Sequence, residues 1–169
     1  LVLPAAQLVV TSVADDGSEG TLRAVIARAV DGDTVTFAPV LAGQTIALTT
    51  RSQSDNGICF ASSVSIIGPA GGIVLNGGWD GSDYNLGTRI LCMTNAVGSL
   101  RVENLVFEHA NGRDWSVGSQ RNEGGAVLCA GAFAATNCVF RNNVGRGASI
   151  SPDGLRGGGA ITVTGPLSL

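Results

Sequence analysis

Gly124-Gly125-Ala126-Val127 returns as Gly158-Gly159-Ala160-Ile161, 34 residues further on. Between the copies lies Asn137-Cys138-Val139-Phe140-Arg141-Asn142-Asn143, whose opening echoes Asn104-Leu105-Val106-Phe107, 33 residues earlier. A fixed period of this size, carried by short apolar runs and glycines, signals a solenoid in which each coil packs only on its neighbours. Such a chain spends most of its residues on stacking. Function then falls to the loops that interrupt the stack.

Before the repeats, Leu8 to Val13 reads as a strand and Asp15 to Gly20 as a solvated turn. Leu22, Val25, Ile26 and Ala29 then recur at helical spacing, so Thr21 to Val30 is expected to form one short amphipathic helix, closed by Asp31-Gly32-Asp33. Its stripe should pack near Val35, Phe37 and Ile46 and cap the first coil. Short β-rich runs follow, from Thr34-Val35-Thr36-Phe37 to Ile161-Thr162-Val163, separated by Gly, Asn, Asp and Pro.

Aligned on the repeat, these runs give apolar columns. One joins Ile90, Val127 and Ile161, followed by Cys92, Cys129 and Val163. Another joins Val64, Leu100, Phe133 and Leu167, followed by Ile66, Val102, Ala135 and Leu169. Leu105 matches Cys138, and Phe107 matches Phe140. Parallel coils about 4.8 Å apart would turn each column into an interior ladder. Asn104 and Asn137 share a corner, where asparagine tolerates left-handed backbone and its amide can bond the equivalent residue one coil away. The expectation is a single domain over 1–169, with the first strand and cap helix at 8–33 and stacked coils at 34–169. The last coil is incomplete at Leu169, which leaves the C-terminal end open to further coils or to a neighbouring subunit stacked end to end.

At these residues the sequence resembles the repeats of chlamydial-type polymorphic outer-membrane proteins and related bacterial right-handed parallel β-helix proteins. Gly124 to Val127 and Gly158 to Ile161 fit the GGA[ILV] motif, and Phe140-Arg141-Asn142-Asn143 fits FxxN. Phe107-Glu108-His109-Ala110 lacks the final Asn, so that coil is degenerate. The segment Gly20 to Ile26 with Gly32 to Phe37 looks like the start of such β-helix regions, where a short helix caps the first coil. The resemblance implies an all-β, right-handed parallel β-helix, or β-solenoid, with a short N-terminal capping α-helix. It also implies a secreted or cell-surface, non-enzymatic structural or adhesive role. No C-terminal membrane barrel follows in this sequence, so the autotransporter route is not carried over.

Composition narrows the alternatives. The net charge is −3, all ten basic residues are Arg, and no basic cluster stands out, which argues against nucleic-acid binding. No apolar run reaches the ~20 residues of a membrane-spanning helix. Leu1 to Gln7 reads equally as the end of a secretion signal or as an extended lead-in. Cys59, Cys92, Cys129 and Cys138 lack CxxC spacing and the only histidine is His109, so neither zinc nor any cofactor is expected. The four sulfurs read as buried thiols acting as small hydrophobes. Cys92 and Cys129, neighbours in the column, fall inside the Cα range of a disulfide, but parallel in-register strands would orient their sulfurs poorly.

Polysaccharide hydrolases and lyases use this architecture, and such chemistry needs carboxylates converging on one face. Asp15-Asp16 is the only adjacent pair, and no column of Asp appears. Asp80, Asp83 and Asn85 could offer oxygens to calcium, but their spacing fits no calcium motif, and a plain turn is the better reading. Three segments exceed the minimal coil: Gly77 to Thr88 with Trp79 and Tyr84, His109 to Glu123 with Trp115, and Arg141 to Gly157 with Arg146 and Arg156. Their aromatics and arginines are candidate contacts for a protein or glycan ligand, or else fold back over the sheet edge. Gly125 and Gly159 are assigned to structure, as are Asn104 and Asn137. Two further readings stay open: a self-stacking subunit of an extracellular filament, and a piece of a polysaccharide lyase or hydrolase.

Overall fold

A computed structural model describes residues 4–50, 57–83, 86–112, 124–145 and 159–169. The chain runs β1 (Gln7–Val10), α1 (Leu22–Arg28), β2 (Thr34–Phe37), β3 (Thr45–Ala47), β4 (Ile58–Phe60), β5 (Val64–Ile67), β6 (Ile73–Asn76) and β7 (Leu91–Met93). It continues through β8 (Ser99–Glu103), β9 (Leu105–Glu108), β10 (Val127–Cys129), β11 (Ala132–Thr136), β12 (Val139–Arg141), β13 (Ile161–Val163) and β14 (Leu167–Ser168).

All the strand pairings between these elements are parallel. The first sheet has the order β1-β2-β5-β8-β11-β14, the second β3-β6-β9-β12 and the third β4-β7-β10-β13. From β2 onward the chain visits the three sheets in strict rotation. The fold is therefore an all-β parallel β-helix of about three turns.

Alternation along the strands decides what lies inside. In β5, Val64 and Ile66 are buried while Ser65 and Ile67 are only partly so. Val64, Leu100, Phe133 and Leu167 stand in register, and so do Val35, Ile66, Val102 and Ala135. Each fully buried Leu or Ile contributes about 1.5–3 kcal/mol, so these ladders carry the stack.

One column is offset from the sequence alignment. Leu91, not Ile90, is the partner of Val127. Cys92 therefore lies between Cys59 and Leu128, and Cys129 faces Met93, so Cys92 and Cys129 are not in-register neighbours. The cause is local. Ile90 N and Leu91 N both donate to the Ala126 carbonyl, at 3.0 and 2.9 Å, and Ile90, Leu91 and Met93 are all buried. With apolar residues on both sides of the turn, hydrophobicity alone does not fix the phase.

The helix is shorter than its apolar stripe. Thr21 caps it by accepting from Ala24 N at 3.3 Å, and Ala29 is already extended. Leu22, Val25, Ile26 and Ala29 join the same core as Val35, Phe37 and Ile46. The helix packs chiefly on β1 and β4, covering the edge of the third sheet on that side.

Asp15 is not a solvated turn residue. It is buried, pairs with Arg23 at 2.9 Å, and accepts from Thr49 N and Thr50 N, each at 2.9 Å. The Thr50 hydroxyl also donates to its carbonyl. Asp16, beside it, is exposed and closes a turn by accepting from Ser18 N at 2.9 Å; the Ser18 hydroxyl and amide hold its carboxyl below the usual aspartate range. Two adjacent identical residues thus differ because only one meets the helix and the segment that leaves β3.

The loop-bearing corner, a candidate contact site

The connections between sheets are unequal. Those from the first sheet to the second occupy 38–44, 68–72, 104 and 137–138, and those from the third to the first 61–63, 94–98, 130–131 and 164–166. Those from the second to the third occupy 48–57, 77–90, 109–126 and 142–160. All the long segments therefore leave from one corner, one above another. The three identified in the sequence belong to this row, and 48–57 is a fourth. It is the shortest of the four and stands out least by length. Tyr84, Asn85, Trp115, Arg146 and Arg156 lie outside the described residues.

The base of the corner is built from backbone contacts. Gly77 N donates to the Glu108 carbonyl at 2.9 Å, and Thr88 N to the Gly77 carbonyl at 2.7 Å. A Cβ on Gly77 would fall 2.5 Å from the Thr88 oxygen and 2.6 Å from the Ala110 Cα, so only glycine lets these coils close. Gly125 meets the same restriction one coil on, 2.4 Å from the Gly159 oxygen and 2.5 Å from that of Val144. Among the described residues, no atom lies nearer than 3.9 Å to a Cβ placed on Gly159.

The asparagine of FxxN has a clear task at this corner. Asn143 Oδ1 accepts from Ala110 N at 3.0 Å, and its Nδ2 donates to the Phe107 carbonyl at 2.9 Å. It stitches its coil to the previous one, where Ala110 takes the equivalent place and is fully buried. His109 and Asn142, in the preceding position, both have left-handed backbone, with φ of 52° and 54°. Two polar residues with no obvious signal in the sequence also belong here. Arg89 is buried and donates to the carbonyls of Gly124 at 3.0 Å and Gly112 at 3.2 Å. Asn111 is buried and donates to Leu86 O at 2.8 Å. Burial of an arginine is tolerated because backbone oxygens satisfy it.

Trp79 folds back against this base. Its backbone N–H donates to His109 O at 2.7 Å, its carbonyl lies 2.9 Å from His109 Nδ1, and the residue is half-buried. Asp80 closes its own turn, accepting from Ser82 N at 2.9 Å and Asp83 N at 3.0 Å. Those amides, Ser82 first, hold its carboxyl below the usual aspartate range. Asp83 is exposed. Below the corner, on the outer face of the second sheet, Asn76, Glu108 and Arg141 form a ladder. Asn76 Nδ2 donates to Glu108 Oε1 at 3.1 Å, and Arg141 pairs with Oε2 at 2.7 Å.

At the opposite corner, Asn104 and Asn137 both adopt left-handed backbone, with φ of 55° and 52°. The Asn104 amide reaches the Gly68 carbonyl at 3.4 Å, so backbone of the equivalent position, not a second asparagine, is its partner.

These features define a parallel β-helix repeat protein with one loop-bearing corner. Within the described residues no three of His, Cys, Asp and Glu converge, and no helix is long and apolar enough to cross a membrane. No protein-family model, curated protein or solved structure matches the chain.

Proposed function

We propose that this chain is a non-enzymatic structural or adhesive β-solenoid, secreted or displayed at a cell surface, whose loop-bearing corner contacts a protein or glycan. The observation that carries this reading is the gathering of every long connection at one corner of an otherwise minimal coil. Rigid stacks that present loops from one side are suited to contact. The extracellular assignment is supported by the resemblance of GGA[ILV] and FxxN to polymorphic outer-membrane repeats. The carboxylates favour contact over catalysis, since Asp15, Asp33, Asp80 and Glu108 are engaged by scaffold donors.

The test is binding of the purified chain to arrayed glycans and to immobilised cell surfaces. Retention is expected, and Trp79→Ala is expected to weaken it. The same chain is incubated with acidic and neutral polysaccharides. Turnover that disappears in Asp80→Asn or Asp83→Asn replaces this reading with a carbohydrate-active enzyme. Self-stacking into a filament is the second reading, favoured by exposed Val139, Leu167 and Leu169 beside the last strands. The position of α1 against β4 opposes it, because the helix occupies the edge that a preceding copy would need. Sedimentation and electron microscopy distinguish a filament from a monomer.

A further inference from the structure

We propose that His109 and Asn111 are positioning residues, a two-point clamp that holds the Trp79-bearing segment in one orientation at the loop-bearing corner. The inference rests on the contact role proposed above for that corner. The segment between β6 and β7 leaves past Trp79 and comes back past Leu86 and Thr88, so it has an outgoing and a returning arm. The next coil reaches both arms. Asn111 Nδ2 donates to the Leu86 carbonyl at 2.8 Å, and His109 Nδ1 lies 2.9 Å from the Trp79 carbonyl. A carbonyl oxygen only accepts, so Nδ1 carries the ring proton and Nε2 is the acceptor of the neutral ring.

Around these two bonds the arms are closed on each other. Trp79 N donates back to the His109 carbonyl at 2.7 Å, and Thr88 N to the Gly77 carbonyl at 2.7 Å. Gly87 lies against Trp79, where a Cβ would stand 2.7 Å from the Trp79 Cβ and 2.9 Å from its Cα. Arg89, next after Thr88, returns the grip by donating to the carbonyls of Gly124 and Gly112, where the following long segment comes back and leaves. The backbone at His109 is left-handed, as is that of its counterpart Asn142 one coil on. Asparagine and histidine both tolerate that conformation, and at position 109 the imidazole adds the bond to Trp79. A segment ordered in advance loses less conformational freedom when it meets a partner.

Nitrogen-15 spectra and native-state hydrogen exchange of the whole chain test the clamp. His109 is the only histidine, so its tautomer is read directly, and a neutral ring protonated at Nδ1 is expected without any variant. His109→Gly keeps the left-handed backbone and removes the ring. It should speed exchange at the Trp79, Leu86 and Thr88 amides by about threefold to tenfold, as loss of one hydrogen bond allows. The amides of Ile66 and Val102 in the first sheet should exchange as before, whereas a merely structural role would loosen all five together. These readouts need no ligand, so their failure strikes the clamp alone. An intact clamp in a chain that no glycan array or cell surface retains strikes the contact reading alone. A neutral ring protonated at Nε2, unchanged exchange at Trp79 and Leu86, or equal acceleration at Ile66 and Val102 overturns the proposal.

Discussion

Phe107 and Phe140 stack face to face one coil apart, with ring centroids 4.7 Å apart and planes 2° from parallel. The spacing is that of the strands themselves, so the rings form a ladder that follows the pitch of the stack. Phe107 is fully buried and Phe140 partly exposed. Phe107→Ala should cost about 3–5 kcal/mol, as for other buried phenylalanines. A double-mutant cycle with Phe140→Ala should return a coupling of about 0.5–1.5 kcal/mol. Chemical denaturation of the four proteins measures both.

The helix is expected to be indispensable to the N-terminal coils. Ile26 is 2% exposed in the core beneath α1. Ile26→Asp loses about 1.5–3 kcal/mol of apolar burial and places a carboxylate where no partner waits. A melting temperature equal to that of the parent would remove the helix from its role as a cap.

Asp15 predicts a second weak point at the same end. Asp15→Asn keeps the shape but deprives Arg23 of its ion partner. A loss of about 1–3 kcal/mol is expected, as for buried hydrogen bonds to charged groups, and Asp16→Asn should be close to neutral. Thermal melts of the two variants side by side check the contrast.

Stability should fall in acid partly through Glu108. Burial pushes its carboxyl up, but Arg141 and Asn76 outweigh this and hold it below the usual glutamate range. A carboxyl depressed by folding binds its proton more weakly in the folded than in the unfolded chain. Its contribution is thus complete above the ordinary glutamate pKa and is lost as pH falls through the lower folded value. Glu108→Gln should flatten the stability–pH curve in that window and leave its slope near pH 8 unchanged.

Gly125→Ala tests the corner. The added methyl would lie about as close to two carbonyl oxygens as the 2.4 and 2.5 Å contacts measured for an ideal Cβ, so the coils must part. Marked destabilisation is expected there, with a milder effect for Gly159→Ala, whose added Cβ meets no described atom nearer than 3.9 Å. Equal melting temperatures for the two variants would contradict the close approach.

The repeat exposed most of the fold because the interior ladders are written in period-2 apolar residues. Val64, Leu100, Phe133 and Leu167 align in sequence as they do in space. Phase was lost where apolarity was continuous, at Ile90 and Leu91, and the error carried the cysteine pairing with it. Strand β11 was legible only as isolated column members, since Ala132, Ala134 and Ala135 lack strong β-propensity. The corner was less visible. Its loops stood out by length, but Arg89, Asn111 and Asp15 are buried through contacts 23 to 35 residues away in the chain. No local pattern reports such distances.

With the long segments confined to one corner, the pitch of the coil is set by the two short ones. Length at the third is mechanically decoupled from the spacing of the strands. Residues added between β6 and β7, or between β9 and β10, should leave the register of every ladder unchanged. The strands act as a ruler whose marks are the points where these segments leave the second sheet. Epitopes grafted at successive marks would be rooted one strand spacing apart, ordered by their position in the gene.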